Sequence, residues 1–174
     1  ITGGEPTVNA DLVDFIKKIK ERDLLVKLDS NGLRPDVLKY LIDNSFIDYA
    51  AMDIKSSKEG YPLASGIKNI DISAIEESVN ILMSSSIEYE FRTTVMKELH
   101  TEKEFRSIAE WIKGCRAYYL QSYRHSETIL SHMMDDEFQS LYPKEFTPYK
   151  NEELKEICDL LISLGVNASL RGIA

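Results

Sequence analysis

At 174 residues, with 43% apolar side chains, the chain is long enough for one domain with a core of its own. Its formal net charge of −8 argues against a nucleic-acid backbone or an anionic membrane surface as the main partner. No apolar run approaches the roughly 18 residues that a membrane span needs.

The elements alternate along the chain. The opening Ile1-Thr2-Gly3-Gly4-Glu5-Pro6-Thr7 reads as the last residue of a strand followed by a binding loop. Leu12, Phe15, Ile16 and Ile19 then fall at helical spacing with Asp and Lys between them. Leu25 to Leu28 reads as a strand, closed by Asp29-Ser30-Asn31-Gly32. Arg34-Pro35 opens a helix carrying Val37, Leu38, Leu41 and Ile42, since proline suits a first helical turn. Tyr49 to Ile54 is the next strand, and Ser73 with Glu76 predicts a capping box for a helix with Ile75, Val79, Leu82 and Met83.

Glu88 to Val95 is again a strand. Thr101 and Glu104 cap a helix whose face is Phe105, Ile108, Ala109 and Ile112, and Gly114 stands where a C-terminal glycine belongs. Ala117 to Tyr123 is a strand. Leu154, Ile157, Leu161 and Leu164 line the last helix, Gly165 ends it, and Val166 to Leu170 is the final strand. From Arg124 to Tyr149 no clean period exists, and the stretch reads either as a partner-facing or active-site cover or as a mobile insertion.

Strand alternating with helix means parallel strands with right-handed crossovers. The fold class is α/β, either a (β/α) barrel or an open doubly wound sheet, in a single domain over 1–174. In both architectures ligands bind at the C-terminal ends of the strands. Gly3-Gly4-Glu5-Pro6, Asp29-Ser30-Asn31-Gly32, Asp53-Ile54-Lys55 and Gln121-Ser122-Tyr123-Arg124 all fall at or just past such ends.

Each cluster has a chemistry beside a plainer reading. Gly3 and Gly4 let backbone carbonyls and amides approach a small ligand, such as an ammonium group, with Glu5 as a further acceptor and Pro6 stiffening the exit; a tight strand-to-helix turn needs the same residues. Asp29, Ser30 and Asn31 offer oxygen ligands or ordinary turn chemistry. Asp53 and Lys55, two apart on a strand, share a face, as a site pair or as a solvated ion pair. Arg92 either bridges to Glu90 or Glu5, or points inward to meet a carboxylate bidentately. The two cysteines, Cys115 and Cys158, match no metal spacing and read as buried reduced thiols; the three histidines follow no metal spacing and read as surface or loop residues.

Taken in order and separated by single helices, Gly3-Gly-Glu-Pro6, Asp29-Ser-Asn-Gly32 and Met52-Asp-Ile-Lys55 resemble radical S-adenosylmethionine enzymes of the glycyl-radical activase type. Glu90-Phe-Arg-Thr-Thr-Val95 and Ala109-Glu-Trp-Ile-Lys-Gly114 are similar to activating proteins of anaerobic ribonucleoside-triphosphate reductase, with pyruvate formate-lyase activases as relatives. The resemblance implies a partial (β/α)6 barrel, truncated here at its first β/α unit, because the family carries a Cys-x-x-x-Cys-x-x-Cys loop for a [4Fe–4S] cluster before its second strand. The chain is thus expected to lack the cluster ligands, to be inactive alone, and to self-associate along the strand at Ile1.

For the full-length protein the resemblance implies S-adenosylmethionine and a [4Fe–4S] cluster as cofactors. It also implies a 5′-deoxyadenosyl radical that generates a glycyl radical on a partner enzyme. The partners would be that glycyl-radical enzyme and an electron donor such as flavodoxin or ferredoxin, in the cytoplasm, with no nucleic acid and no membrane. By the same resemblance Gly3, Gly4, Glu5 and Pro6 would hold the methionyl amino group. Asp29, Ser30 and Asn31 would stand near the ribose or a monovalent cation shared by Asp29 and Asp53, and Asp53 and Lys55 would reach the methionine carboxylate or that cation. Arg92 would join the cofactor-binding set, and Gln121 and Arg124 would border the adenosine end. The alternatives are a cluster-less, non-catalytic nucleoside-binding relative and an unrelated α/β-barrel metabolite enzyme; the second is weakened because no glycine-rich phosphate loop appears late in the chain.

Overall fold

The computed structural model describes residues 1–124 and 145–172. The elements in chain order are a 3-10 turn Pro6–Val8, α1 Leu12–Lys20, β1 Lys27–Ser30, α2 Pro35–Asp43, β2 Tyr49–Asp53, α3 Tyr61–Ser65, α4 Ile72–Ser84, β3 Glu88–Val95, α5 Glu102–Trp111, β4 Tyr118–Ser122, α6 Asn151–Ser163 and β5 Ala168–Arg171. The strands form one sheet in the order β1-β2-β3-β4-β5. The registered pairs are parallel: Leu28 with Ala50, Met52 with Phe91, Leu120 with Leu170. A doubly wound sheet reverses its strand order partway. This sheet does not, so of the two α/β architectures the winding is that of the (β/α) type.

The chain forms two compact units, Ile1–Ile54 with Asp71–Arg92, and Lys55–Ile70 with Thr93–Ala174. In the first unit, strand alternation sorts two faces. Leu28, Ala50, Met52, Tyr89 and Phe91 are buried, and with Leu12, Ile16, Leu38, Leu41, Ile75, Val79 and Leu82 of the helices they make its core. The opposite alternation carries Lys27, Asp29, Tyr49, Asp53, Glu90 and Arg92, a polar set on what would otherwise be an apolar sheet. In the second unit the core gathers Tyr61, Val95, Phe105, Ile108, Ile112, Tyr118, Leu120, Leu154 and Leu161, and the Tyr118 hydroxyl donates to Thr93 Oγ1 at 2.7 Å.

Local chemistry sets the boundaries. β1 starts two residues later than its apolar run, because Leu25 is 83% exposed while Val26 N is bound by the Asp48 carboxylate at 2.6 Å, itself held by Lys20. Ile1 brackets Leu28 in the manner of a further parallel strand: Asp29 N donates to Ile1 O at 2.9 Å, and Ile1 N donates to Lys27 O. α4 is capped by Asp71, whose Oδ1 accepts from Ala74 N at 3.1 Å, and not by the predicted Ser73–Glu76 box. A carboxylate at the N-cap satisfies a first-turn amide as a serine would and adds a favourable charge at the helix dipole. At α5 Glu104 does turn back to accept from Thr101 N at 3.3 Å. Of the stretch from Arg124 to Tyr149 on which the cover-or-insertion reading falls, residues 125–144 lie outside the described residues.

Gly32 is the one glycine of the first unit that crowding also demands. Its φ is +78°, and a Cβ there would stand 2.1 Å from Met52 Cε. Gly32→Ala is expected to destabilise the protein by about 1–2 kcal/mol, the cost of a left-handed non-glycine residue, with Met52 forced aside. An unchanged urea midpoint would show that the loop relaxes out of that conformation.

Candidate cofactor-binding site

The glycine-rich loop is open and internally braced. Gly3 and Gly4 have φ of +104° and +57°, and a Cβ at either would meet nothing within 4 Å. Glycine is therefore required there by backbone conformation, and the exposed peptide groups are unshielded by side chains. Pro6 is buried and opens the 3-10 turn, its carbonyl accepting from Asn9 N at 3.0 Å.

Glu5 joins this loop to the exit of β1. Its Oε1 accepts from Thr7 N at 3.1 Å, Thr7 Oγ1 at 2.5 Å and Ser30 Oγ at 3.1 Å, and its Oε2 accepts from Asn31 N at 2.6 Å. The β1 side is a turn in its own right. Ser30 Oγ accepts from Gly32 N at 3.1 Å, Asn31 Oδ1 accepts from Leu33 N at 2.9 Å, and buried Ser78 of α4 donates to Gly32 O at 2.7 Å. The Ser30 hydroxyl is thus engaged on both sides, and the Glu5 carboxylate is an acceptor for its own fold. Thr7, 3% exposed, belongs to this brace although sequence reasoning passed over it. No period or motif in the sequence marks it, because its place depends on Glu5 folding back onto it.

The second feature is a charged trio on the polar face of the sheet. Arg92 Nε and Nη2 lie 2.9 and 2.8 Å from Asp53 Oδ1, and Nη1 lies 3.4 Å from Asp29 Oδ2. Burial alone would lower the Arg92 pKa, but Asp53 and then Asp29 outweigh it, so the guanidinium is raised above its ordinary value and stays charged. The bridge from Arg92 to Glu90 or Glu5 weighed from the sequence gives way to the inward alternative. Glu5 is engaged as above. Glu90, 1% exposed, accepts from Tyr49 OH at 2.7 Å and pairs with Lys27 Nζ at 3.3 Å. Two carboxylates against one guanidinium leave the trio with one net negative charge.

Nine of the candidate residues therefore lie in one unit: Gly3, Gly4, Glu5, Pro6, Asp29, Ser30, Asn31, Asp53 and Arg92. The other three lie in the second unit. Lys55 is exposed, and its carbonyl is 2.8 Å from His100 Nε2. Gln121 is half-buried on β4, in register with Arg171. Arg124 is exposed and donates from Nη2 to Gly172 O at 3.0 Å. His100 itself lies in a loop but is buried, 1% exposed, so of the surface-or-loop reading only the surface part is corrected for that histidine; aromatic packing on Phe105 encloses it.

The open glycine backbone fits a ligand carrying an ammonium group, and the net-negative trio fits a ligand whose own net charge is positive, as S-adenosylmethionine's is. The cysteines do not fit an iron–sulfur cluster. Burial raises the Cys115 thiol to about 11 and also raises Cys158, which opposes the thiolate a metal needs. Among the described residues no group of three or more His, Cys, Asp or Glu could hold a metal ion. No helix of the described residues is long and apolar enough to cross a membrane.

Comparison with known proteins bears on these features. Residues 1–112 match the model of the Radical SAM superfamily. The chain is 31% identical over 166 residues to a Methanocaldococcus jannaschii protein provisionally named a glycyl-radical enzyme activating enzyme, over 90% of this chain and 63% of that one. It is 30% identical over 103 residues to a Thermococcus kodakarensis protein provisionally named a GTP 3',8-cyclase, over 58% of this chain and 32% of that one. The crystal structure of a radical SAM methyltransferase from Sphaerobacter thermophilus superposes with a TM-score of 0.69 at 14% identity, covering 97% of this chain and 48% of that chain, a likeness of fold. The chain spans less than two thirds of the length of each of these relatives. With its parallel (β/α) sheet, its glycine loop and the family match over most of its length, the chain belongs to the radical SAM superfamily.

Proposed function

We propose that the full-length protein is a radical SAM activating enzyme that generates a glycyl radical on a partner enzyme. The observation that carries this reading is the Glu5 brace. It fixes a bare glycine backbone beside the β1 exit, where a methionyl ammonium group can be met by peptide carbonyls. Likeness over 90% of this chain to the provisionally named activating enzyme supports the choice of partner class. When bound and given one electron by the cluster, S-adenosylmethionine would lose methionine and supply the 5′-deoxyadenosyl carbon radical to which a glycine of the partner gives a hydrogen atom.

This chain's own residues orient that ligand. Gly3 and Gly4 present backbone to the ammonium group, with Pro6 fixing the loop exit. Asp29 and Asp53 hold Arg92 so that its remaining N–H groups face the ligand carboxylate, and Lys55 offers a second cation to the same group. The trio's net negative charge attracts the sulfonium-bearing ligand. Gln121 and Arg124 border the adenosine end. The cluster ligands and the surface for a low-potential donor such as flavodoxin or ferredoxin are assigned to other parts of the full-length protein.

The test is anaerobic incubation of the reconstituted full-length protein with S-adenosylmethionine, a reductant and the glycyl-radical enzymes of the same organism. The expected result is a glycyl doublet in the electron paramagnetic resonance spectrum, matched by 5′-deoxyadenosine. Binding of S-adenosylmethionine with no cleavage under any reductant would replace this reading by that of a non-catalytic nucleoside-binding relative.

A further inference from the structure

His100 lies in the loop after β3, buried and 1% exposed. Its Nε2 stands 2.8 Å from the Lys55 carbonyl, which can only accept, so Nε2 carries the proton. Its Nδ1 lies 3.3 Å from Met96 N, which can only donate, and equally 3.3 Å from Met96 O. A neutral ring protonated at Nε2 satisfies both the Lys55 carbonyl and the Met96 amide; an imidazolium does not. The ring is clamped from its sides. It stacks on Phe105 with centroids 6.1 Å apart, Tyr149 packs edge-on against Phe105 at 6.1 Å, and the Tyr149 hydroxyl donates to the His100 carbonyl. Lys97 N bonds Thr147 O at 3.0 Å, anchoring the same loop once more. One imidazole thus ties Lys55 to the loop after β3, within the second unit.

We propose that His100 is a positioning residue for Lys55, holding its main chain so that the exposed ammonium group is aimed at a ligand carboxylate. The proposal rests on the reading that Lys55 reaches S-adenosylmethionine. Lys55 lies past the last ladder residue of β2, Asp53, so the strand itself does not hold its carbonyl. A four-carbon side chain is mobile, and its root must be fixed for the charge to be placed. His100 does this without touching the ligand.

The groups facing the ring set its pH behaviour. Burial pushes the His100 imidazole below its ordinary value, while the bonds to Lys55 and Met96 and the charge of Glu104 on α5 push the other way and lose. The Tyr149 phenol faces the His100 main chain, and the Lys55 ammonium group stands on the segment the ring holds. With a depressed folded-state pKa, the native protein binds fewer protons than the unfolded chain below the ordinary value of 6.5. The ring is therefore neutral above about pH 6.5; as pH falls through the folded value Nε2 keeps its bond to the Lys55 carbonyl and Met96 O can take the new Nδ1–H, but the Met96 N–H loses its acceptor.

Three measurements on the full-length protein test this. Nitrogen-15 spectra of labelled histidine should show His100 neutral with the proton on Nε2 at neutral pH. Denaturant midpoints of the wild type should fall as pH drops below about 6.5, the linkage that a depressed histidine pKa requires. His100→Gln, whose amide can replace the Nε2 donor, should bind within about threefold of wild type with that pH dependence removed, and His100→Phe, which keeps the stacking, should bind at least tenfold more weakly. A proton on Nδ1, or wild-type binding by folded His100→Phe, overturns the proposal. If His100→Phe does not fold, the tautomer and the contrast between wild type and His100→Gln decide. Unchanged binding by Lys55→Met sinks the underlying reading, and the proposal with it. Weakened Lys55→Met beside unchanged His100→Phe sinks the proposal alone.

Discussion

Arg92→Met is expected to lower the unfolding free energy by about 2–3 kcal/mol and to weaken S-adenosylmethionine binding by more than tenfold. The substitution keeps most of the aliphatic stem and removes the charge. It leaves Asp29 and Asp53, both partly buried, facing one another across the place the guanidinium filled. Breaking a fully buried pair from one side costs roughly 3–5 kcal/mol. The acids here are 24% and 40% exposed, so water takes up part of that penalty and the lower range applies.

Asp53→Asn should behave differently. The amide oxygen can still accept from Arg92 and Asp29 still neutralises it, so the stability cost is on the order of 0–1 kcal/mol. The ligand affinity should nonetheless fall about ten- to a hundredfold, because Arg92 is then less firmly held and the site loses a charge. In the double variant Arg92→Met/Asp53→Asn the like-charge pair is gone, and the loss of stability should be smaller than the sum of the single losses by about 1 kcal/mol or more. The measurement is a set of denaturant midpoints for the four proteins, with titrations of S-adenosylmethionine alongside. Strictly additive midpoints would mean that Arg92 stabilises through its stem and not through the aspartates.

The same trio shows where sequence reading succeeds and where it stops. β3 was legible from end to end, Glu88 to Val95, because Tyr89, Phe91, Thr93 and Val95 alternate with the polar Glu88, Glu90, Arg92 and Thr94. Whether Arg92 bridges to a neighbouring glutamate or points inward stayed open in the sequence. Its carboxylate partner was not legible either: Glu90 and Glu5 were the named candidates, and only strand register decides, since Asp53 stands opposite Arg92 and Asp29 one strand further on. β1 was displaced by two residues, since Leu25 is apolar but exposed, and a periodicity cannot see that Asp48 and Lys20 hold the chain at Val26. His100 was missed for a related reason. A lone histidine in a loop has no period, and its burial depends on Phe105 and on a tyrosine 49 residues away. The nearest signal was its place directly before Thr101, whose partner Glu104 marks a helix start and so a loop that must end tightly.

Glu5→Ala is the other large effect, expected at about 1.5–3 kcal/mol of stability, the usual worth of hydrogen bonds to a charged group. The two loops that Glu5 joins would no longer share a brace. Thr7 N and Asn31 N each lose a carboxylate acceptor, and Ser30 Oγ keeps only its bond from Gly32. Glu5→Gln is a finer probe. Its single carbonyl oxygen can serve Asn31 N or Thr7 N but not both, while its NH2 can be taken up by the Thr7 and Ser30 hydroxyls, which rotate. The glutamine variant should therefore fall between wild type and alanine in stability. If Glu5 acts on the ligand through the brace, the affinity for S-adenosylmethionine should fall in the same order, and amide hydrogen exchange at Thr7 and Asn31 should quicken in the ligand-free protein. If the carboxylate instead met the ammonium group directly, glutamine and alanine would weaken binding alike, and the two amides would exchange as slowly in the glutamine variant as in wild type. The first pattern is expected, because both carboxylate oxygens already accept from the fold, Oε1 from three donors and Oε2 from one at 2.6 Å. The ammonium group is left to the open carbonyls of the glycine loop, and that is the arrangement the brace keeps in place.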